Sequence, residues 1–430
     1  MIPRLTAALS GPLFALEKKF LEESAPIEQW FRAAWQEHTP PFYASCDLRN
    51  AGFKLAPVDT NLFPGGFNNL RPAFMPLCVH AAMSAVEKFC PSACKVLILP
   101  EHHTRNLFYL QSLARLVLIL RYAGLETRLG TWSPEITEPR ELVLPDGQTL
   151  LLEPVTRHGN RVGLKDFLPC AVLLNNDLSG GIPEVLRGLD SGQTLLPPLS
   201  AGWAERRKTR HFAAYDAVAE EFADMLNFDP WHINPFFAAC HDLDFHARHG
   251  VERLADSVSE LFARIREKYR EYDIRETPYV VVKADAGTYG MGVMTVRDAS
   301  EVLSLNRRQR NKMSVVKEGL AVSGVIAQEG VHTFEVMRGA VAEPVVYMID
   351  RYVVGGFHRM HIARGRDENL NAPGMEFESL AFDTACNLPE YQGKPDAPPN
   401  RFYAYGVIAR LACLAAAREL EAMGTPAGAA

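Results

Sequence analysis

Residues 279–296, YVVVKADAGTYGMGVMTV, constrain the fold more than any other part of the chain. Four β-favouring residues lead into Lys283, then Gly287, Gly290 and Gly292 follow, and apolar residues resume at Val293, Met294 and Val296. β-branched and aromatic residues suit a half-buried pleated surface and clustered glycines suit a turn, so the run predicts strand, loop and strand. Glycine lets backbone N–H groups approach an anion closely, and lysine supplies a point charge for phosphate oxygens. The functional reading is a glycine flap folded over nucleotide phosphates; the bland one is a hairpin with a loose loop. Two other phosphate loops are excluded. No Gly-Lys-Ser/Thr opens a helix here, and strand character resumes directly after the G-x-x-G-x-G spacing, unlike a Rossmann turn.

The chain of 430 residues can hold two or three packed domains. We place a boundary near residue 200, with a substrate-side domain over 1–200 and a nucleotide-binding region over 201–430. A net charge of −6 gives no reason to expect nucleic acid as a partner. The longest membrane-span candidate, 107–120, is interrupted by Gln111, Ser112 and Arg115, and the first twenty residues do not read as a signal peptide. Eight scattered cysteines without a paired metal spacing suit a reduced, cytoplasmic protein with buried thiols.

Along the chain, 6–35 reads as helix broken at Pro26. Residues 46–72 mix short extended runs with Asp47, Arg49, Asn50, Lys54, Asp59, Asn61, Asn68 and Asn69 around Pro64-Gly65-Gly66. So many polar side chains beside Phe53, Phe63 and Phe67 suggest a small-molecule surface, though Asn and Asp also cap turns. Short apolar strands at 95–100 and 170–175, with a helix at 105–122 between them, predict an open α/β sheet. The stretch 175–179 then lies where such sheets gather ligands. Arg206, Arg207, Lys208 and Arg210 precede a helix at 212–226 and form either an anion cradle or a solvated face. The His and Asp residues of 231–249 share no helical face and read as structural. Helix is expected at 251–272, 299–312 and 403–423, and strand at 324–330 and at 343–354, the latter one long strand interrupted by Asp350 and Arg351. Asp367, Glu368, Asn369 and Asn371 are hard oxygen donors; beside a phosphate they suit Mg²⁺, and without one they suit an Asx-rich turn.

The order of these pieces resembles the ATP-grasp enzymes, in which two α/β lobes hold ATP between antiparallel sheets. The resemblance makes Lys283 with Gly287, Gly290 and Gly292 the flap, and Gln328, Glu329, Gly330 and Val331 the adenine-side strand. Lys208 stands where the family carries a second phosphate lysine. Glu343-Pro344-Val345, through Arg364 to Asn369-Leu370, is similar to a segment of bacterial glutathione synthetase. More specifically, DLRNAGFKLAPVDTNLFPGGFNNL, KADAGTYGMGV, EPVVYMIDRYVVGGFHRMH and DENLNAPG resemble the proteobacterial glutamate–cysteine ligases of the ATP-grasp-like type, over most of the chain. The expected fold is therefore α/β, an open-sheet N-terminal domain followed by ATP-grasp-like lobes with antiparallel sheets. One departure is that no Asp strand and Glu-x-Asn pair follows the Arg/Asn segment. Metal ligation is then expected from Asp350, Glu368, Asn369 or Asn371.

The resemblance implies a definite chemistry. ATP would phosphorylate the γ-carboxylate of glutamate, and the amine of cysteine would displace the phosphate to give γ-glutamylcysteine. Lys208, Lys283 and Arg364 would spread the phosphate charge with Mg²⁺, and the flap would exclude water. Arg49, Lys54, Asn61 and Asn68 would hold amino-acid carboxylates. Two alternatives remain open at this stage: a ligase for another amino acid or peptide pair, and a nucleotide-binding protein without catalysis.

Overall fold

The computed structural model describes residues 12–91, 94–190, 192–287, 292–314, 322–380 and 401–424. Gly290 of the expected flap lies outside them, as do the ends of the chain. Within them the protein is a mixed α/β structure built on three principal sheets.

The largest is antiparallel. Its strands run in the order Glu376–Ser379, Tyr352–His361, Ala340–Ile349, Tyr43–Asn50 and Leu55–Asn61, with Val336–Met337 beside Ala340–Ile349. Sequence-distant segments meet here, so the line drawn at residue 200 passes through this sheet. The strand Tyr43–Asn50 is buried along nearly its whole length. One face of the sheet packs on the helices Pro12–Glu22, Ser24–Glu37, Lys208–Leu226 and Arg401–Gly424. The other packs on Met75–Phe89 and Leu107–Tyr122. The last helix is rich in alanine because it lies almost wholly inside, where small side chains let it approach its neighbours closely.

The second sheet carries parallel strands in the order Thr194–Leu196, Ala171–Asn175, Lys95–Pro100, Glu126–Thr131 and Thr149–Pro154, with Arg140–Val143 antiparallel at the edge. Their apolar runs suit strands covered on both faces. The helix Leu107–Tyr122 that crosses it starts at Asn106, whose side chain accepts a hydrogen bond from the Tyr109 backbone. The third sheet is antiparallel, in the order Phe237–His241, Gly324–Glu329, Val280–Ala284 and Val293–Val296, and rests on the helix Val251–Glu271. The run 279–296 is thus a strand pair, as its composition predicts.

Several expected boundaries shift. Residues 343–354 are not one strand: the chain reverses at Asp350, whose φ is +52°, and returns as Tyr352–His361. The first helical break falls at Glu23, not at Pro26, which sits in the first turn of the next helix, where a missing N–H costs no intrahelical bond. The strand Phe237–His241 lies inside the polar stretch 231–249 and has too little apolar pattern to be foreseen. The described cysteines are free, and Cys94 is exposed where a buried thiol was expected. Among the described residues no helix is long and apolar enough to cross a membrane.

Candidate active site

The large antiparallel sheet and the four-stranded sheet face each other across an open cleft with a cavity volume of about 100 Å³. Alternation along each strand decides what projects into it. Asp47 and Arg49, two residues apart, come from one sheet; Val281 and Lys283 come from the other. Lys208 enters from the start of its helix, and Gly287, with φ +104°, begins the flap in a conformation that glycine adopts without strain. Gln328, Glu329 and Val331 line the same cleft, with Glu368, Asn369 and Asn371 on its rim. At Gly330 a Cβ would fall 2.2 Å from the Tyr279 ring, so only glycine lets these segments pack this closely.

The lysines are held by oxygen. Lys283 Nζ donates to the Val58 carbonyl at 2.7 Å and to Gln328 Oε1 at 2.8 Å. Burial, reinforced by the cations Lys208 and Arg49 and opposed by Asp59, lowers its pKa to about 8. Lys208 Nζ donates to Asp59 Oδ1 at 2.7 Å and lies over the Trp203 ring. Burial of Asp59 favours its neutral form, but Lys208 and then Lys283 outweigh it and bring its pKa to about 2. Gln328 Nε2 is buried without a hydrogen-bond partner among the described residues, an unsatisfied donor beside the cleft.

A second polar group joins the sheets. Arg49 Nε donates to Glu343 Oε2 at 2.8 Å, and Nη1 reaches the Tyr279 hydroxyl at 3.1 Å and the Val331 carbonyl at 3.3 Å. Its remaining nitrogen donates to the Glu368 carbonyl. Arg49 lines the cleft, as expected, and most of its donors are engaged by the protein, so it braces the two sheets. Arg359 differs. Its Nη1 serves both Asp47 at 2.7 Å and Glu343 at 2.8 Å, while its buried Nε has no partner among the described residues. Burial opposes the charge of Glu343, yet Arg49 and Arg359 together hold its pKa below the usual value.

Beyond Arg359 lies a second cavity of about 260 Å³, reaching the C-terminal ends of the parallel strands at Glu101, Asn175 and Asp177. Asp47, Asp59, Arg359 and Asn371 line both cavities, so the two meet at these residues. Asn61 lines the second one but turns its amide back on the Phe63 backbone.

Four other expected site residues lie elsewhere. Lys54 is wholly buried, paired with Glu329 Oε2 at 2.6 Å and placed over the Trp231 ring, and it lines neither cavity. Its partner Glu329 is accordingly a structural counter-ion as well as a lining residue. Asn68 lines a separate depression with Gln111 and Arg115. Asp350 is buried at the hairpin turn, with Lys88 at 3.6 Å, away from Glu368. Arg364 is half exposed, pairs with Glu368 at 3.1 Å and is not part of either wall. Of the basic cluster at 206–210, Arg206 is buried against Glu419 rather than directed at an anion.

Sequence reasoning placed Asp47 and Asp59 in the polar surface of 46–72 without giving them a role, and it missed Glu343 and Arg359 as site residues. Their signal was present: charged residues inside otherwise apolar buried strands are costly unless paired. Among the described residues no three His, Cys, Asp or Glu side chains gather as a metal cage. Asn369 Oδ1 accepts from the Asn371 backbone, as in an Asx turn, and Glu368 Oε2 accepts from Gly365 N. What the rim offers is the partial donor set that suits an ion shared with phosphate oxygens.

A solved structure from Methylobacillus flagellatus, provisionally named a gamma-glutamylcysteine synthetase, is 63% identical over 98% of this chain and 99% of its own, with a TM-score of 0.91. A D-alanyl-alanine synthetase A from Vibrio cholerae aligns at 11% identity over 74% of this chain and 81% of its own, at a TM-score of 0.35, too low to carry an argument. No curated protein sequence matches. The family described as GshA, glutamate-cysteine ligase, matches residues 17–420. With nearly its whole length matched, the chain belongs to the glutamate–cysteine ligase family, and its activity is the joining of glutamate to cysteine in glutathione synthesis.

Proposed function

We propose that this ligation runs through a γ-glutamyl phosphate formed where the two cavities meet, with ATP in the first and the amino acids in the second. The observation that carries the reading is the shared wall at Asp47, Asp59 and Arg359, next to Lys208 and Lys283. An acyl phosphate must form beside the nucleotide and be consumed beside the acceptor, and only a junction serves both.

In this reading the two antiparallel sheets clasp ATP in the ATP-grasp-like manner. Residues 201–430 supply most of the nucleotide side, and residues 1–200 most of the amino-acid side. Lys208 and Lys283 neutralise phosphate oxygens, and the flap that begins at Gly287 closes to exclude water. The unsatisfied amide of Gln328, beside Val331, meets the base. The free edge of Arg359 takes the γ-carboxylate, because a guanidinium matches a carboxylate with two parallel donors. Glu368 and Asn369 would hold Mg²⁺, which when bound would add to the neutralisation of the transferring group. The substrates are small molecules handled in the cytoplasm.

The test is product identification after incubation with ATP, Mg²⁺, glutamate and a mixture of amino acids. A single new species with the mass of γ-glutamylcysteine, formed with stoichiometric phosphate, is expected. No phosphate release with glutamate plus cysteine would refute the reading.

A further inference from the structure

Amide formation at this junction needs a base. An α-amino group is largely an ammonium at neutral pH, and an ammonium has no lone pair with which to attack a carbonyl carbon. The lysines are partnered with oxygen, and none of the described cysteines lines the junction.

Two carboxylates do. Asp47 and Asp59 are direct partners in the antiparallel register of Tyr43–Asn50 with Leu55–Asn61, and both border both cavities. Each accepts through one oxygen, and what differs is the cation that each one answers to. Asp59 is engaged by Lys208 at 2.7 Å. Asp47 accepts through Oδ2 alone, from a guanidinium nitrogen of Arg359 that Glu343 shares. Among the described residues neither Asp47 Oδ1 nor Asp59 Oδ2 has a hydrogen-bond partner.

We propose that Asp47 is the general base of amide formation, its unbonded Oδ1 taking a proton from the α-ammonium of the incoming cysteine. This rests on the ligase chemistry proposed above. The freed amine attacks the γ-carbonyl carbon, a C–N bond forms, and the C–O bond to phosphorus breaks with its electron pair on the phosphate. Of the two protons that nitrogen loses, one goes to Asp47 and from there to solvent, and the other leaves on the phosphate.

The surroundings support that division of labour. The groups that face Asp47 are Arg359, Glu343 and Asp59 from the neighbouring strands, with Lys283 across the cleft. Burial raises the pKa of Asp47, and Glu343 and Asp59 add to the rise against the pull of Arg359. For Asp59 the lysines win over burial. Two carboxyls driven apart in this way take different roles, one staying ionised and one able to carry a proton.

The experiment compares two acceptors. Hydroxylamine is a far weaker base than an α-amino group and is mostly unprotonated at neutral pH, so its attack needs no base. Wild type, D47N, D47E and D59N are assayed with ATP, Mg²⁺, glutamate and either cysteine or hydroxylamine. In D47N the ratio of hydroxamate to γ-glutamylcysteine should rise by about 10²–10⁴, the usual contribution of a general base. D47E should lower that ratio again by restoring a carboxylate, and D59N should lose both products together. Hydroxamate formation also reports that D47N is folded. Equal loss with both acceptors in D47N overturns the assignment. Wild type forming neither product would instead bring down the ligase reading, an outcome distinguishable from the first.

Discussion

The ammonium of Lys208 and the carboxylate of Asp59 lie 2.7 Å apart, joining the first turn of a helix to an edge strand of the large sheet. The contact places a cation on the cleft wall beside a carboxylate that this cation compensates most, ahead of Lys283. Removing Lys208 therefore does two kinds of damage: it deletes a phosphate partner and exposes a like charge to the phosphates. Hydrogen bonds to charged groups contribute about 1.5–3 kcal/mol. K208A should accordingly raise the KM for ATP by about 10–150-fold. K208A/D59N should be less impaired than K208A alone, a coupling that a double-mutant cycle on KM detects.

Lys283 carries a proton signature. Its pKa stands at about 8 against an ordinary 10.5, chiefly because it is buried. A phosphate at the ammonium favours the charged form and raises that value. ATP binding should then take up protons between pH 8 and 10.5, and affinity should fall as pH rises through about 8. Calorimetry in buffers of different ionisation heat measures the uptake, and K283M should abolish it. An uptake unchanged in K283M would place the titration on another group.

The pair Lys54–Glu329 tests stability rather than binding. Both side chains are 1% exposed, and the Trp231 indole N–H also donates to Glu329 at 3.1 Å. Removing one partner leaves a buried unpaired charge, so K54A should destabilise the fold by about 3–5 kcal/mol. K54M/E329L, which removes both charges at similar volume, should be far less harmful. Urea unfolding of the two variants decides it; equal losses would argue against an electrostatic origin.

Glu419 links stability to acid. It is buried between Arg206 at 3.0 Å and His211 at 3.1 Å. Burial alone would raise its pKa, but Arg206, with the His211 hydrogen bond, lowers it from 4.5 to about 2. A depressed folded-state value stabilises above the unfolded one and is lost as pH falls through the folded one. The window is therefore pH 4.5 down to about 2, and the contribution is on the order of 3 kcal/mol. His211, whose pKa burial lowers, must be charged in acid and acts in the same direction. E419Q should flatten the fall of Tm below pH 4.5; an unchanged acid slope would assign it to other carboxylates.

What could be read from the sequence was what depends on local pattern. The Val280–Ala284 strand, the turn at Gly287 and the oxygen-rich rim at 367–371 each carry their signal within a few residues. Lys54 and Arg49 could not be sorted that way. Each looks like a cation beside aromatics and amides, and only the partners Glu329 and Glu343, more than 270 positions away, show that Lys54 is consumed by the fold and that Arg49 is anchored in it at the cleft wall. Arg359 was overlooked for the converse reason: it sits in an apolar strand, and its free edge becomes visible only once Asp47 and Glu343 are seen to share one nitrogen. Asp350 illustrates a third limit, since a residue that reverses a strand is indistinguishable from one that interrupts it until the hairpin is drawn.

The large sheet has a consequence for biosynthesis. Asp47 and Asp59 are translated early, yet the strand that supplies Glu343 and the one that supplies Arg359 emerge roughly three hundred residues later, and the buried helix Arg401–Gly424 later still. A ribosome partway through the message therefore holds a nascent chain with half of its reaction centre unassembled. Acidic side chains whose cationic partners are not yet made must wait in water until the closing segments arrive, so competence should appear all at once, near the end of synthesis.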